Sequence, residues 1–261
     1  MTAALSHGDF STLAGNYSKF RPGYCESVLT GLLALLGKPP AEIDAVDVGA
    51  GTGIWTRMMA ARGLRSVVAV EPNDAMRDTG RRDGEGTGIV WRAGSGEETG
   101  LADACCDQLS MASSLHWVDF ERGIREFHRV LRPGGRFVAL WNPRFLADEP
   151  ALLDIEAHLD TLKGDLRRVS SGRSGLAERL TGLLWASPLF EDVVYLEGRH
   201  SVTMSVDHHI GAWRSVNDVQ VQLGPERFAQ FLDWVRTRLA GRDTIEVTYL
   251  TRAWSARRAG P

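Results

Sequence analysis

Between Ala45 and Trp141 short apolar runs alternate with stretches of helical period, and this alternation limits the fold more than any other feature of the chain. Residues 46–48, 66–70, 89–91, 108–111 and 136–141 read as five strands. The helix after the first run carries Trp55, Met58 and Met59; a second, capped by Asn73 or Asp74, extends to about Arg82. Phe120, Ile124, Phe127 and Leu131 recur at i, i+4, i+7 and i+11, the single apolar face of a third helix. Arg132-Pro133-Gly134-Gly135 stops it, since proline cannot continue a helix. Strands joined by helices of this length predict a parallel sheet covered on both faces.

The flanks read differently. Residues 25–36 form a leucine-rich helix closed by Gly37 and Pro39. Leu152, Ile155, Leu159 and Leu162 line one face of another, followed by a polar stretch, 164–175, that reads as a lid loop or a connection. Helices at 206–216 and 225–239 lie between two late strands, 193–196 and 246–250; Phe228, Leu232, Val235 and Leu239 make an ordinary core stripe. The expected division is an N-terminal helical segment (1–40), a core (41–142), and cap helices with the last two strands (143–261).

Composition narrows the partners. The chain has 261 residues, 43% hydrophobic and 24% charged, with a formal net charge of −3. That length suits one large domain or a core with a cap. The balance disfavours a nucleic-acid partner, which usually selects a basic surface. Cys25, Cys105 and Cys106 offer neither disulfide nor zinc spacing. No basic leader opens the chain and no apolar run approaches the roughly 20 residues of a membrane helix. The expectation is a cytoplasmic protein without membrane or metal; its oligomeric state is left open.

Gly49-Ala50-Gly51-Thr52-Gly53 sits where the first strand turns into a helix, where backbone can approach a ligand closely. The dinucleotide pattern G-x-G-x-x-G requires glycine at 54, and the chain has Ile54. A P-loop fails as well, because no Gly-Lys-Ser/Thr follows. Glu71 closes the second strand at the right distance to hold ribose hydroxyls. Together these features predict a nucleoside-cofactor site.

Val46-Asp47-Val48-Gly49-Ala50-Gly51-Thr52-Gly53, Val70-Glu71-Pro72, Gly96-Glu97 and Leu131-Arg132-Pro133-Gly134-Gly135 resemble class I S-adenosylmethionine-dependent methyltransferases. Within that class the chain looks like the small-molecule branch that includes quinone-biosynthesis and trans-aconitate methyltransferases; the likeness covers about residues 12–142. It implies a Rossmann-like, doubly wound, mostly parallel α/β sheet of seven strands with a helical cap, and S-adenosylmethionine as cofactor. It also implies roles: Asp47 for the amino-acid end, Gly49, Ala50 and Gly51 against the cofactor, Glu71 on the ribose, Pro72 and Met76 beside the adenine. Ser95 and Gly96 replace an acidic and a small residue near the adenine amine, and Ala112 and Ser113 approach the methionine portion. Tyr17 and Arg21 lie in a segment that closes over the cofactor in such enzymes, although Cys25 stands where relatives often have proline.

The resemblance leaves the acceptor open. The reaction it implies is methyl transfer to O, N or C of a small organic acceptor; the alternatives are another sulfonium chemistry, such as cyclisation, or a macromolecular acceptor. His116, after the fourth strand, is the candidate general base. Trp117, Trp141 and Asn142 stand at strand ends as candidate acceptor contacts. His200, His208 and His209 lie in the later region that such enzymes use as a cap, and Asp207-His208-His209 lacks metal spacing because adjacent helical residues point apart. Asp154, Glu156, His158 and Asp160 fall off the apolar stripe of their helix and read as a solvated face.

Overall fold

The computed structural model describes residues 9–166, 168 and 175–260; the chain start and most of the polar stretch at 164–175 lie outside them. In order the elements are α1 (Ala14–Phe20), α2 (Glu26–Ala34), β1 (Asp44–Val48), α3 (Ile54–Ala60), β2 (Ser66–Val70), α4 (Asp74–Asp83), β3 (Val90–Arg92) and β4 (Cys106–Ala112). Then come α5 (Phe120–Val130), β5 (Leu131–Trp141), β6 (Arg144–Phe145), α6 (Pro150–Leu162), α7 (Leu176–Ala186), β7 (Phe190–Ser205), α8 (Val206–Trp213), α9 (Asn217–Arg238) and β8 (Thr244–Arg258).

The strands form one sheet in the order β3-β2-β1-β4-β5-β8, with β6 and β7 also paired to β8. β1 to β5 run parallel, as helical crossovers require, while β8 lies antiparallel to β5 from Arg136↔Arg257 to Trp141↔Arg252. Period-two alternation in β5 feeds both layers. Phe137, Ala139 and Trp141 join Ile124 and Phe127 of α5 with Leu180 and Leu184 of α7. Val138 and Leu140 join Leu29 and Leu32 of α2 with Trp55 and Met59 of α3. Asn73 makes the expected cap, accepting from the Met76 amide, and Asp119 caps α5 by accepting from the Arg122 amide.

Among the described residues the sheet has eight strands where seven were expected. The extra one is β6, whose two residues pair Thr248 and Tyr249 and are too short to leave a pattern. β7 and β8 span 16 and 15 residues, far beyond the predicted apolar runs. β7 alternates exposed and half-buried positions with many polar side chains, so only its apolar start is readable as strand. The two strands pair from Phe190↔Arg258 to Ser205↔Thr244 and form a ribbon that leaves the sheet. The near half of β8 contributes Ala253, Trp254 and Ala256 to the main cores, whereas Ile245, Val247 and Tyr249 belong to a third core.

That third core is the cap. It gathers Leu152, Ile155 and Leu159 of α6, Trp213 of α8, and Phe231 and Val235 of α9. α9 breaks at Gly224-Pro225, where the expected helix begins. α2 packs into the core through Val28, Leu29 and Leu32, whereas α1 meets α8 of the cap. The Phe20 ring covers Gly211 of α8 so closely that a Cβ there would sit 2.6 Å from a ring carbon. Phe20 also meets the His208 ring edge-on at 5.1 Å. α1 and the cap therefore enclose the carboxyl edge of β1, β2, β4 and β5.

Candidate functional site

A cavity of about 310 Å³ opens at this edge, between the strand ends, α1 and the cap. Its floor is the 49–53 loop. The Gly49 and Ala50 amides both donate to the Val70 carbonyl, at 2.8 and 3.1 Å, which ties the loop to the end of β2. Gly49 has φ of +64°, and a Cβ there would meet the Ser114 Cβ at 2.6 Å; both facts demand glycine. Glu71 locks the same loop: one carboxylate oxygen accepts from the Gly51 amide at 2.7 Å, the other from Asn73 at 2.9 Å. Burial pushes this carboxyl above its ordinary value against the opposing pull of those two amides. Each oxygen retains further acceptor capacity, and Glu71 lines the cavity.

Fourteen residues singled out from the sequence line the cavity wall: Tyr17, Arg21, Gly49, Ala50, Gly51, Glu71, Pro72, Met76, Ser95, Gly96, Ala112, Ser113, Trp117 and Asn142. The Ser95 hydroxyl oxygen accepts from the amides of Glu97 and Glu98, at 3.3 and 3.2 Å, and keeps its own proton for donation. Ser113 holds φ of +58°, uncommon for serine, and its hydroxyl lies 3.0 Å from that of Tyr24. Burial raises the Tyr24 phenol, which stays protonated. Asn142 donates to the Gly23 carbonyl at 2.9 Å and accepts from Thr251 at 2.8 Å, fastening the N-terminal segment to the sheet.

Asp47, His116 and Trp141 are not on the wall. Asp47 is fully buried below it, accepting from Thr56 at 2.6 Å and Ser110 at 3.1 Å. Burial lifts its pKa to about 7. His116 stands behind Trp117, with Nδ1 accepting from the Trp141 indole at 3.4 Å. Trp141 is itself core, 1% exposed.

Other wall residues escaped the sequence reading. Phe10 meets Tyr17 and Trp117 edge-on, each at 6.1 Å, and these rings roof the cavity. At the cap end the wall carries Arg144, Glu156, Arg168, Val216 and Tyr249. Glu156 corrects the expectation of a solvated face: it is 8% exposed and pairs with Arg168 at 2.8 Å and Arg144 at 3.7 Å. Its neighbour Asp154 does face outward, paired with Arg238. The signal for Glu156 was available, since it flanks the buried Ile155, but its arginine partners lie 12 residues away in either direction along the chain. His209 is fully buried and accepts from the Trp213 indole at 3.2 Å; burial lowers it to about 3, so it is neutral. Among the described residues no acidic, histidine or cysteine cluster suits a metal, and no helix is long and apolar enough to cross a membrane.

Residues 46–139 match the family model described as a methyltransferase domain. An uncharacterized methyltransferase of Mycobacterium bovis is 41% identical over 135 residues, 52% of either chain. A ubiquinone/menaquinone biosynthesis C-methyltransferase of Rubrivivax gelatinosus is 37% identical over 106 residues, 40% of this chain and 41% of that one. The chain thus spans about half the length, or less, of these curated relatives. In fold it is similar to a putative type II methyltransferase from Anaeromyxobacter dehalogenans, with a TM-score of 0.62 and 23% identity over 91% of this chain and 98% of the other.

Proposed function

We propose that this chain, whose residues 46–139 match a methyltransferase domain, is a class I S-adenosylmethionine-dependent methyltransferase that moves a methyl group from that cofactor to a small organic acceptor held beneath the cap. The observation that carries the reading is Glu71, a buried carboxylate pinned by two loop amides and presented to the cavity beside a glycine floor. Such an acceptor pair suits the vicinal hydroxyls of a ribose, and the crowding at Gly49 leaves backbone as the surface a nucleoside meets. Pro72 and Met76 extend that surface, while Ser95 offers a hydroxyl proton. The fit is thus with the cofactor's nucleoside half at the β1–β2 end.

When bound, the cofactor supplies an electrophilic methyl group on a sulfonium. The protein's part is to bind, orient and exclude water. Holding two reactants in line contributes about 7–11 kcal/mol in favourable cases. α1, anchored by Phe20 on Gly211, and the Phe10–Tyr17–Trp117 rings close the cavity over both partners. A roof of this kind favours a small acceptor over a polymer.

Two expected outcomes follow. S-adenosylhomocysteine at about a hundred times its Kd should raise the melting temperature by about 5–10 °C, and NADH should not. A shift with NADH alone would reject the reading. His116, behind the wall, is expected to support Trp141 and Trp117 rather than take a proton. His116→Ala should therefore lower the melting temperature while turnover keeps the shape of its pH profile; loss of a limb near neutral pH would restore the histidine as base.

A further inference from the structure

We propose that Arg144 and Arg168, laid on the face of Trp213 in the cap, form a carboxylate subsite that selects an anionic acceptor. The proposal rests on the methyl-transfer reading and specifies its substrate class. Both guanidinium groups are largely buried, at 14% and 10% side-chain exposure, and both line the cavity. The Arg144 guanidinium carbon sits 4.2 Å from the Trp213 ring centroid and that of Arg168 at 5.5 Å. Trp213 is in turn fixed by His209, so the platform is rigid. A third guanidinium, Arg21, reaches the same wall, held by the Ser215 hydroxyl at 2.8 Å and by Tyr17, both uncharged.

Among the described residues two cations at this end face one carboxylate. Glu156 is the carboxylate that answers Arg144 and Arg168, tightly to the second and only at 3.7 Å to the first. Arg168 Nε is buried with no hydrogen-bond partner among the described residues. Buried cations without a matching anion are costly, and an unsatisfied buried donor calls for a ligand. Burial already pulls the Arg144 pKa down, and repulsion from Arg168 and Arg21 adds to it. Planar guanidinium forks match a carboxylate in two-point contact. A phosphate dianion fits less well, because Glu156 has already neutralised one of the pair and would face the second charge. At the opposite end the wall is acidic, with Glu71 and Glu97, so the cavity is polarised for a cationic donor and an anionic acceptor.

The test uses the full chain saturated with S-adenosylhomocysteine. Calorimetry compares benzoate, phenylacetate and glutarate with their primary amides, and adds phenyl phosphate. At least one acid should bind about tenfold or more tightly than its amide. Arg144→Gln and Arg168→Gln should each weaken that acid about tenfold, with S-adenosylhomocysteine affinity unchanged and Arg144→Lys recovering part of the loss. Acids and amides binding alike, no acid binding, or retained affinity in both glutamine variants would overturn the subsite. Phenyl phosphate binding more tightly than every acid would overturn its carboxylate assignment. A chain that fails to bind S-adenosylhomocysteine defeats the donor reading instead; the acid–amide comparison on the free chain then still requires the Arg144 dependence.

Discussion

Glu71→Ala should weaken S-adenosylhomocysteine about a hundredfold, because charge-assisted hydrogen bonds contribute about 1.5–3 kcal/mol each and two hydroxyls lose their acceptor. The substitution has a second consequence inside the protein. The Gly51 and Asn73 amides each lose the oxygen they donate to, at 2.7 and 2.9 Å, so the glycine floor loses one of its ties and keeps those of Gly49 and Ala50 to the Val70 carbonyl. Glu71→Gln separates the two effects. Its amide oxygen still accepts one of those bonds, and the floor should persist while the anionic acceptor is gone. Calorimetry is expected to rank wild type, Gln and Ala in that order. Equal affinity in all three would remove Glu71 from the ligand.

Asp47→Asn is expected to change the pH dependence of stability by about 4 kcal/mol between pH 4 and pH 7, since each unit of pKa shift is worth about 1.4 kcal/mol. The sign follows from burial. Unfolded, the carboxyl has its ordinary value of 3.8; folded, desolvation lifts it to about 7, with Glu71 adding repulsion. The native state therefore holds a proton across this window that the unfolded state has released. Stability contributed by protonated Asp47 is full below pH 3.8 and is lost as pH rises toward 7. Asparagine keeps one oxygen to accept from Thr56 or Ser110, turns its NH2 donor toward the other hydroxyl, and does not titrate. Denaturant midpoints for the two proteins should hence diverge as pH rises, the variant gaining. Parallel curves would mean that Asp47 ionises freely in the fold.

Local pattern made much of the molecule legible. Much of the parallel core was readable because β1, β4 and β5 bury both faces along most of their length and α5 carries a clear apolar stripe, with Ile124, Phe127 and Val130 buried. The cofactor end was readable for a related reason. Gly49 and Glu71 sit at strand termini, and the β1–β2 pairing, Val48↔Val70, brings those termini together with no contribution from distant segments. What went unseen depends on long-range closure. β7 and β8 alternate polar and apolar residues over a ribbon of which only short apolar runs are visible in sequence. α7, whose Ala177, Leu180 and Leu184 are buried, was hidden behind a polar stretch.

Sequence by itself determined the sheet's parallel core, the glycine floor and the acid that answers it, since these arise from neighbours in the chain or from adjacent strand ends. Tertiary structure alone decided the cap end of the cavity. Arg144 comes from a two-residue strand, Glu156 from a helix face that looked solvated, and Trp213 from beyond the β7 ribbon. Nothing in their spacing links them. The same packing withdrew Asp47, His116 and Trp141 from the wall, because whether a side chain lines a cavity or backs it depends on which layer covers it.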